Sequence, residues 1–298
     1  MRTAEFEEHE YTASLFHQLA ANDNRLWHPG QVFEEYIGID GAMYVHSVVF
    51  WALFGEPAPL QGGCLPRYDW SYIWRKRKKS RPLPDFRLNC FIQGKRPETG
   101  TQPQKKYRAA GIKGRHWRFE TMKHQQSALE RVAMRLGSRA IVVYASPTFH
   151  RARDLFHHSE GGTLKEQSTF PRISSLSGHR HWVYDCPGAV GHAFSKHERV
   201  SDPGLEEQID LVVKESSSDE KPSPLLAERN LILLANSVID ALGKEDKRNS
   251  RVRQFLAGRL RLFKAIGFTP ESGTHPGAAF LTIRLFCEVM NLRWLVVG

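Results

Sequence analysis

Apolar positions along this chain follow two periods, and each change of period marks an element. Leu15, Phe16 and Leu19 are spaced as on one face of a helix and predict an amphipathic helix over 11–21. Pro29-Gly30 breaks the chain, and a short helix is expected over 31–37, ending at Gly38. The apolar, β-branched run 39–54 predicts strand structure, and the Gly- and Pro-rich stretch 55–66 a loop. Leu88-Asn89-Cys90-Phe91-Ile92 reads as a buried strand with polar Gln93 and Lys95 at its far end. Within 120–136, Met122, Leu129, Val132, Ala133 and Leu136 form a helical stripe, and Ala140–Ala145 is a second β-branched strand, closed by Pro147. Strand, helix and strand in this order predict a parallel βαβ unit with a right-handed crossover.

After Val200 the pattern changes. Residues 201–224 read as a polar linker holding a short helix over 205–214, and helical patterns follow at 225–242, 251–266 and 277–294. Their apolar stripes need each other or a partner. The expected organisation is an α/β domain over 1–200, with a mixed central sheet flanked by helices, then a helical bundle over 225–298 that holds a protein partner or builds a homo-oligomer.

Composition narrows the class. A hydrophobic content of 41%, with 7 Trp and 17 Phe in 298 residues, supplies a core and excludes a wholly disordered chain. The four cysteines (Cys64, Cys90, Cys186, Cys287) form no Cys-x-x-Cys pair, which argues against a disulfide scaffold and a paired-Cys zinc site. Residues 1–10 carry four Glu and no apolar segment, and no apolar run reaches the ~20 residues of a bilayer span, so a cytoplasmic protein without a membrane partner is expected.

The formal charge of +10 is concentrated in one stretch. Arg67 to Arg115 carries 15 Lys and Arg against three acids, a local +12, so the other 249 residues net −2. The densest run is Arg75, Lys76, Arg77, Lys78 and Lys79, followed by Arg81. Such a run suits phosphate neutralisation with release of condensed counterions, and equally a solubilising loop. Neighbouring Tyr68, Trp70, Tyr72 and Trp74 suit base stacking, although their alternation also fits one buried face of a strand.

Residues i and i+2 of a strand share a face, so Gln93 and Lys95 project together. A buried cation and amide at the end of an apolar strand need partners. Upstream, Glu34 and Asp40 flank a helix-to-strand turn around Gly38. Two carboxylates, an amide oxygen and a lysine form a hard-oxygen set for Mg²⁺ or Mn²⁺, with the lysine placed to orient or deprotonate an attacking water.

The series Glu34–Gly38–Asp40 followed by Phe91-Ile92-Gln93-Gly94-Lys95-Arg96-Pro97 resembles the restriction-endonuclease-like PD-(D/E)xK nuclease superfamily, in the variant with Gln where Glu is usual. His124-Gln125-Gln126 on the next helix, then AIVVYASP, continues the order, and the resemblance covers 31–150. It also extends to a bacterial, defence-associated branch with a Phe-x-Gln-x-Lys-Arg-Pro motif. The resemblance implies a restriction-endonuclease-like core, with Glu34, Asp40 and Gln93 as metal ligands and Lys95 as the catalytic lysine. Gln125 or Gln126 would support the site. The implied activity is Mg²⁺- or Mn²⁺-dependent phosphodiester hydrolysis of nucleic acid, double-stranded DNA before RNA, in anti-phage or restriction-type defence. Arg75 to Lys79, Arg81 and Arg96 would contact the substrate.

Alternatives stand beside this assignment. The long interval from Asp40 to Gln93 requires an insertion, and the literal Pro84-Asp85 makes Asp85 a second candidate for the metal-binding aspartate, or simply a turn residue. Glu35 competes with Glu34, both also fit a solvated helix face, and Lys95 also fits a lysine snorkelling from a strand end. His179 and His181, with His150, His157, His158, His192 and His197, have neither zinc-helix nor finger spacing and read as polar surface or nucleic-acid contacts. The alternative function is a catalytically inactive nuclease fold serving as a nucleic-acid-binding or scaffold subunit, because Gln93 removes a negative charge from the ligand set.

Overall fold

A strand covered on both faces must be apolar at odd and even positions alike, and the two runs flanking the predicted βαβ helix have that character. The computed structural model describes residues 1–22, 26–27, 86–188, 190–215, 224–242, 247, 249–254, 256 and 276–297. In chain order the elements are β1 (Arg2–Thr3), α1 (Glu8–Asn22), β2 (Leu26–Trp27), β3 (Leu88–Gly94), β4 (Glu98–Gly100), α2 (Lys105–Ala109), β5 (His116–Glu120) and α3 (Lys123–Leu136). They continue with β6 (Ala140–Pro147), α4 (Ala152–Glu160), β7 (Ser168–Thr169), β8 (His181–Tyr184), β9 (Val190–Phe194) and β10 (Glu198–Ser201). The last are α5 (Leu205–Glu215), α6 (Pro224–Ala241), α7 (Pro276–Met290) and β11 (Arg293–Val297).

The central sheet has the order β2-β11-β3-β6-β7. β3 runs parallel to β6, from Asn89 opposite Ala140 to Gly94 opposite Ala145, so the expected parallel pair is present. Its faces separate cleanly by parity. Leu88, Cys90 and Ile92 of β3, with Ile141, Val143 and Ala145 of β6, share a core with Tyr11 and Leu15 of α1, Leu155 of α4 and Ile209 of α5. Phe91, Val142 and Tyr144 point the other way, into a core with Leu129 of α3, Leu231 of α6 and Phe286 of α7. A one-residue slip of β3 would exchange these two sets, so the pairing register is strongly fixed.

A second sheet, order β1-β4-β5-β8-β9-β10, is antiparallel throughout. Its strands are short and had no counterpart in the sequence reading. Trp117, Phe119, Trp182 and Tyr184 turn from it into the core that holds Phe91 and Tyr144, with Phe119 and Tyr144 ring centroids 5.4 Å apart. Segment 179–182, read as polar surface, thus leads into a strand whose Trp182 is fully buried.

The helix expected over 277–294 ends earlier. Asn291 adopts the left-handed conformation (φ 53°) one residue past the end of α7. Leu292 N–H donates to the Cys287 carbonyl (2.7 Å) and Asn291 N–H to that of Glu288 (3.2 Å), the crossed pair of bonds that closes a helix C-terminus. The chain reverses into β11, which inserts between β2 and β3 and is antiparallel to both. Trp294 Nε1 then donates to Asn89 Oδ1 at 2.9 Å. The described residues of 224–297 thus place α6, α7 and β11 in one core with the central sheet.

The helix over 205–214 is present as α5. The readings for 28–85, the linker segment 216–223 and most of the helix expected over 251–266 lie outside the described residues.

Candidate functional site

Parity along β3 places Gln93 with Phe91 on the α3/α6/α7 side, and Lys95 follows on that side. Gln93 has no exposed surface, and Lys95 retains 4%. Gly94 between them faces α1, where an added Cβ would overlap Thr12 Oγ1 and lie 3.1 Å from Thr12 Cβ. The glycine is what lets α1 approach this end of β3 so closely.

The early stop of α7 leaves the Met290 carbonyl without a helical partner, and Gln93 Nε2 donates to it at 3.0 Å. That bond fixes the amide. Gln93 Oε1 is then buried with no hydrogen-bond partner among the described residues. An unpaired buried carbonyl oxygen costs about 1–3 kcal/mol, and a hard cation is the kind of ligand it suits.

Lys95 Nζ lies 3.5 Å from Gln125 Oε1 on α3 and 5.4 Å from the centre of the Tyr144 ring on β6. Burial pushes the Lys95 ammonium below the ordinary lysine range, and the Glu8 carboxylate works against that shift. Its main chain is pinned as well. Lys95 N–H donates to the Ala145 carbonyl (2.8 Å), Ser146 Oγ donates to the Lys95 carbonyl (3.0 Å), and Tyr184 O–H donates to Ser146 Oγ (2.8 Å). The lysine at the end of the central sheet is thereby tied to the second sheet through buried hydroxyls.

Of the two glutamines expected from the next helix, Gln125 is the one beside Lys95, whereas its neighbour Gln126 is structural. Gln126 donates to the Ile173 carbonyl (2.8 Å) and Glu130 (2.9 Å) and accepts from Tyr144 O–H (2.6 Å), so it holds the ring that Lys95 rests on. Arg96 is placed differently from its expected nucleic-acid role. Its Nε and Nη2 donate to the Ala4 carbonyl (3.0 and 2.6 Å) and its Nη1 to Glu7 (2.9 Å), bracing the N-terminal segment.

Glu8 is the residue the sequence reading missed. From the first turn of α1 it accepts Arg96 N–H (3.3 Å) and Asn291 Nδ2–H (3.2 Å) and is the acid whose charge acts on Lys95. Nothing in the pattern sets it apart from the other three Glu of the first ten residues. Only the packing of α1 on Gly94 brings it to the end of β3.

Glu34, Glu35, Asp40, Asp85, Arg75, Lys76, Arg77, Lys78, Lys79 and Arg81 lie outside the described residues. Among the described residues no group of three His, Cys, Asp or Glu is placed to hold a metal ion. Of the histidines named as rivals, His179 Nε2 meets Glu198 (3.3 Å), His181 Nε2 meets Glu120 (2.8 Å), and His192 Nδ1 meets His197 Nε2 (3.1 Å). No helix among the described residues is long and apolar enough to cross a membrane.

Compared with known proteins, the chain matches no family model, no curated protein and no solved structure.

Proposed function

We propose that this chain is a metal-dependent phosphodiesterase acting on nucleic acid, DNA before RNA, on a restriction-endonuclease-like core. The observation that carries the reading is the Gln93–Lys95 pair: a buried amide oxygen left without a donor and a buried lysine, on one face at the end of the central strand β3. Both groups are costly to bury, and neither is needed to fill the core.

Gln93 would offer its Oε1 as a neutral oxygen ligand, held in place by the bond from Nε2 to Met290. Glu34 and Asp40, or Asp85, would complete the set with charge. A divalent cation, when bound, supplies positive charge at the phosphate and lowers the pKa of a water. Lys95 is held by Gln125 and Tyr144, and its depressed pKa raises the share of neutral amine able to take a proton from the attacking water. Tyr184 and Ser146 set the height of Lys95 along the strand end.

Calorimetric titration with Mn²⁺ tests the ligand assignment. The wild-type chain is expected to bind Mn²⁺, and Gln93→Leu to bind it about 10–100-fold more weakly, the range typical of a disturbed metal site. No Mn²⁺ binding by the folded wild-type protein would overturn the enzyme reading and favour the inactive, nucleic-acid-binding or scaffold alternative.

A further inference from the structure

The connection between β4 and β5 carries the C-terminal part of the basic stretch. From Thr99 to Phe119 the chain has no acid. Lys105, Lys106, Arg108, Lys113 and Arg115 all lie within this connection and are all exposed. The sixth cation, Arg118, is paired with Glu98 and Glu120. Among the described residues, the other five form no ion pair.

The loop is built rather than loose. Tyr107 and Ile112 are fully buried and pack with Val183 of β8 and Phe194 of β9 on the outer face of the second sheet. Tyr107 meets His116 and Phe194 edge-on, with ring centroids 5.4 and 4.9 Å apart. Ile112 N–H donates to the Tyr107 carbonyl (3.1 Å), and Gly111 supplies the left-handed turn (φ 95°) between the two anchors. Lys106 Nζ sits over the rings of Tyr107 and Phe194 at 5.0 and 5.9 Å. The five cations are thus carried on a loop whose backbone is held by two buried anchors. A solubilising surface does not need this, since mixed signs serve it better.

We infer that Lys105, Lys106, Arg108, Lys113 and Arg115 form a phosphate-backbone contact surface for nucleic acid, presented by the β4–β5 connection and separate from the basic run at 75–81. It rests on the nucleic-acid reading of the Gln93–Lys95 site. An anionic membrane is the poorer fit. Surface-bound helices set apolar side chains beside their cations, whereas the apolar anchors Tyr107 and Ile112 here face inward.

The test is binding of a short fluorescent DNA duplex in EDTA, titrated against salt. A variant carrying K105Q, K106Q, R108Q, K113Q and R115Q is compared with the wild type and with the charge-preserving K105R/K106R/K113R. All substituted positions are exposed, and a circular-dichroism melt verifies folding. Each phosphate contact contributes about −0.9 to the slope of log K against log salt. The glutamine variant is expected to lose about 4.5 from that slope and at least about tenfold in affinity, while the arginine variant keeps both. An unchanged slope in the glutamine variant overturns the surface. So does loss of binding to phosphatidylserine vesicles in place of loss of DNA binding. EDTA keeps the readout independent of cleavage: loop-dependent binding combined with cleavage that ignores Lys95 would overturn the site and leave the surface standing.

Discussion

The side-chain amide of Gln93 donates to the main-chain carbonyl of Met290 at 3.0 Å, across 197 residues of sequence. One end of the amide is spent on closing the α7–β11 turn, and the other is left facing the site. Gln93→Glu reverses the first half of this arrangement by setting a carboxylate oxygen against the carbonyl. The variant is expected to lose about 1–3 kcal/mol of stability at pH 7. Protonation would restore a donor, so the folded-state carboxyl pKa rises above the unfolded value of about 4.3. The deficit should be small below that pH and open as pH rises. Urea unfolding at pH 4.5 and 7 checks this, and equal deficits at the two pH values would contradict it.

Lys95 gives a stability test in the opposite sense. Burial lowers its pKa in the folded chain, so the unfolded chain binds more protons and stability climbs with pH through the window between the two values. Lys95→Met removes the buried charge at similar volume. It should be more stable than wild type at pH 7 by about 1–3 kcal/mol. The difference should shrink as pH rises toward the free-lysine value of 10.5. A constant difference across that range, measured by denaturant unfolding, would show that the charge is not the cause.

Gly94 tests the docking of α1. A methyl group there collides with Thr12, so Gly94→Ala should cost about 2–3 kcal/mol and separate Glu8 from the end of β3. Thr12→Ala removes the closest overlap and should recover part of the loss in the double variant. Additive effects of the two substitutions would contradict the contact.

Removal of 291–298 deletes β11 from between β2 and β3 and uncovers Phe91 and Asn89. Truncation at Met290 is expected to abolish the cooperative melting transition. A truncated chain that melts like the full one would contradict the central position of β11.

Much of the central layer was legible in the sequence. The runs 88–92 and 140–145 were apolar at both parities, and helix 123–136 carried its stripe plainly, because burial on two faces or on one leaves a strong period. The strand at 293–297 was not legible. Leu292 and Trp294 continue the apolar spacing of α7, and the only stop signal was Asn291, whose left-handed conformation ends the helix. The second sheet escaped for a different reason: its strands run two to five residues, too short to establish a period. Within the site, strand parity placed Gln93 and Lys95 on one face, whereas a glutamine from the next helix, Gln125 or Gln126, came from the resemblance alone. Glu8 depends on a long-range approach that only the missing side chain of Gly94 permits.

The most direct measurement is cleavage of supercoiled plasmid by the wild type and Lys95→Ala, with Mn²⁺ and with EDTA, both proteins verified as folded. The expected result is nicking by the wild type with Mn²⁺ alone and a loss of at least about 100-fold in Lys95→Ala, in the range ascribed to general acid–base catalysis. Equal cleavage by the two proteins, or cleavage that persists in EDTA, would contradict a metal-dependent phosphodiesterase built on Gln93 and Lys95.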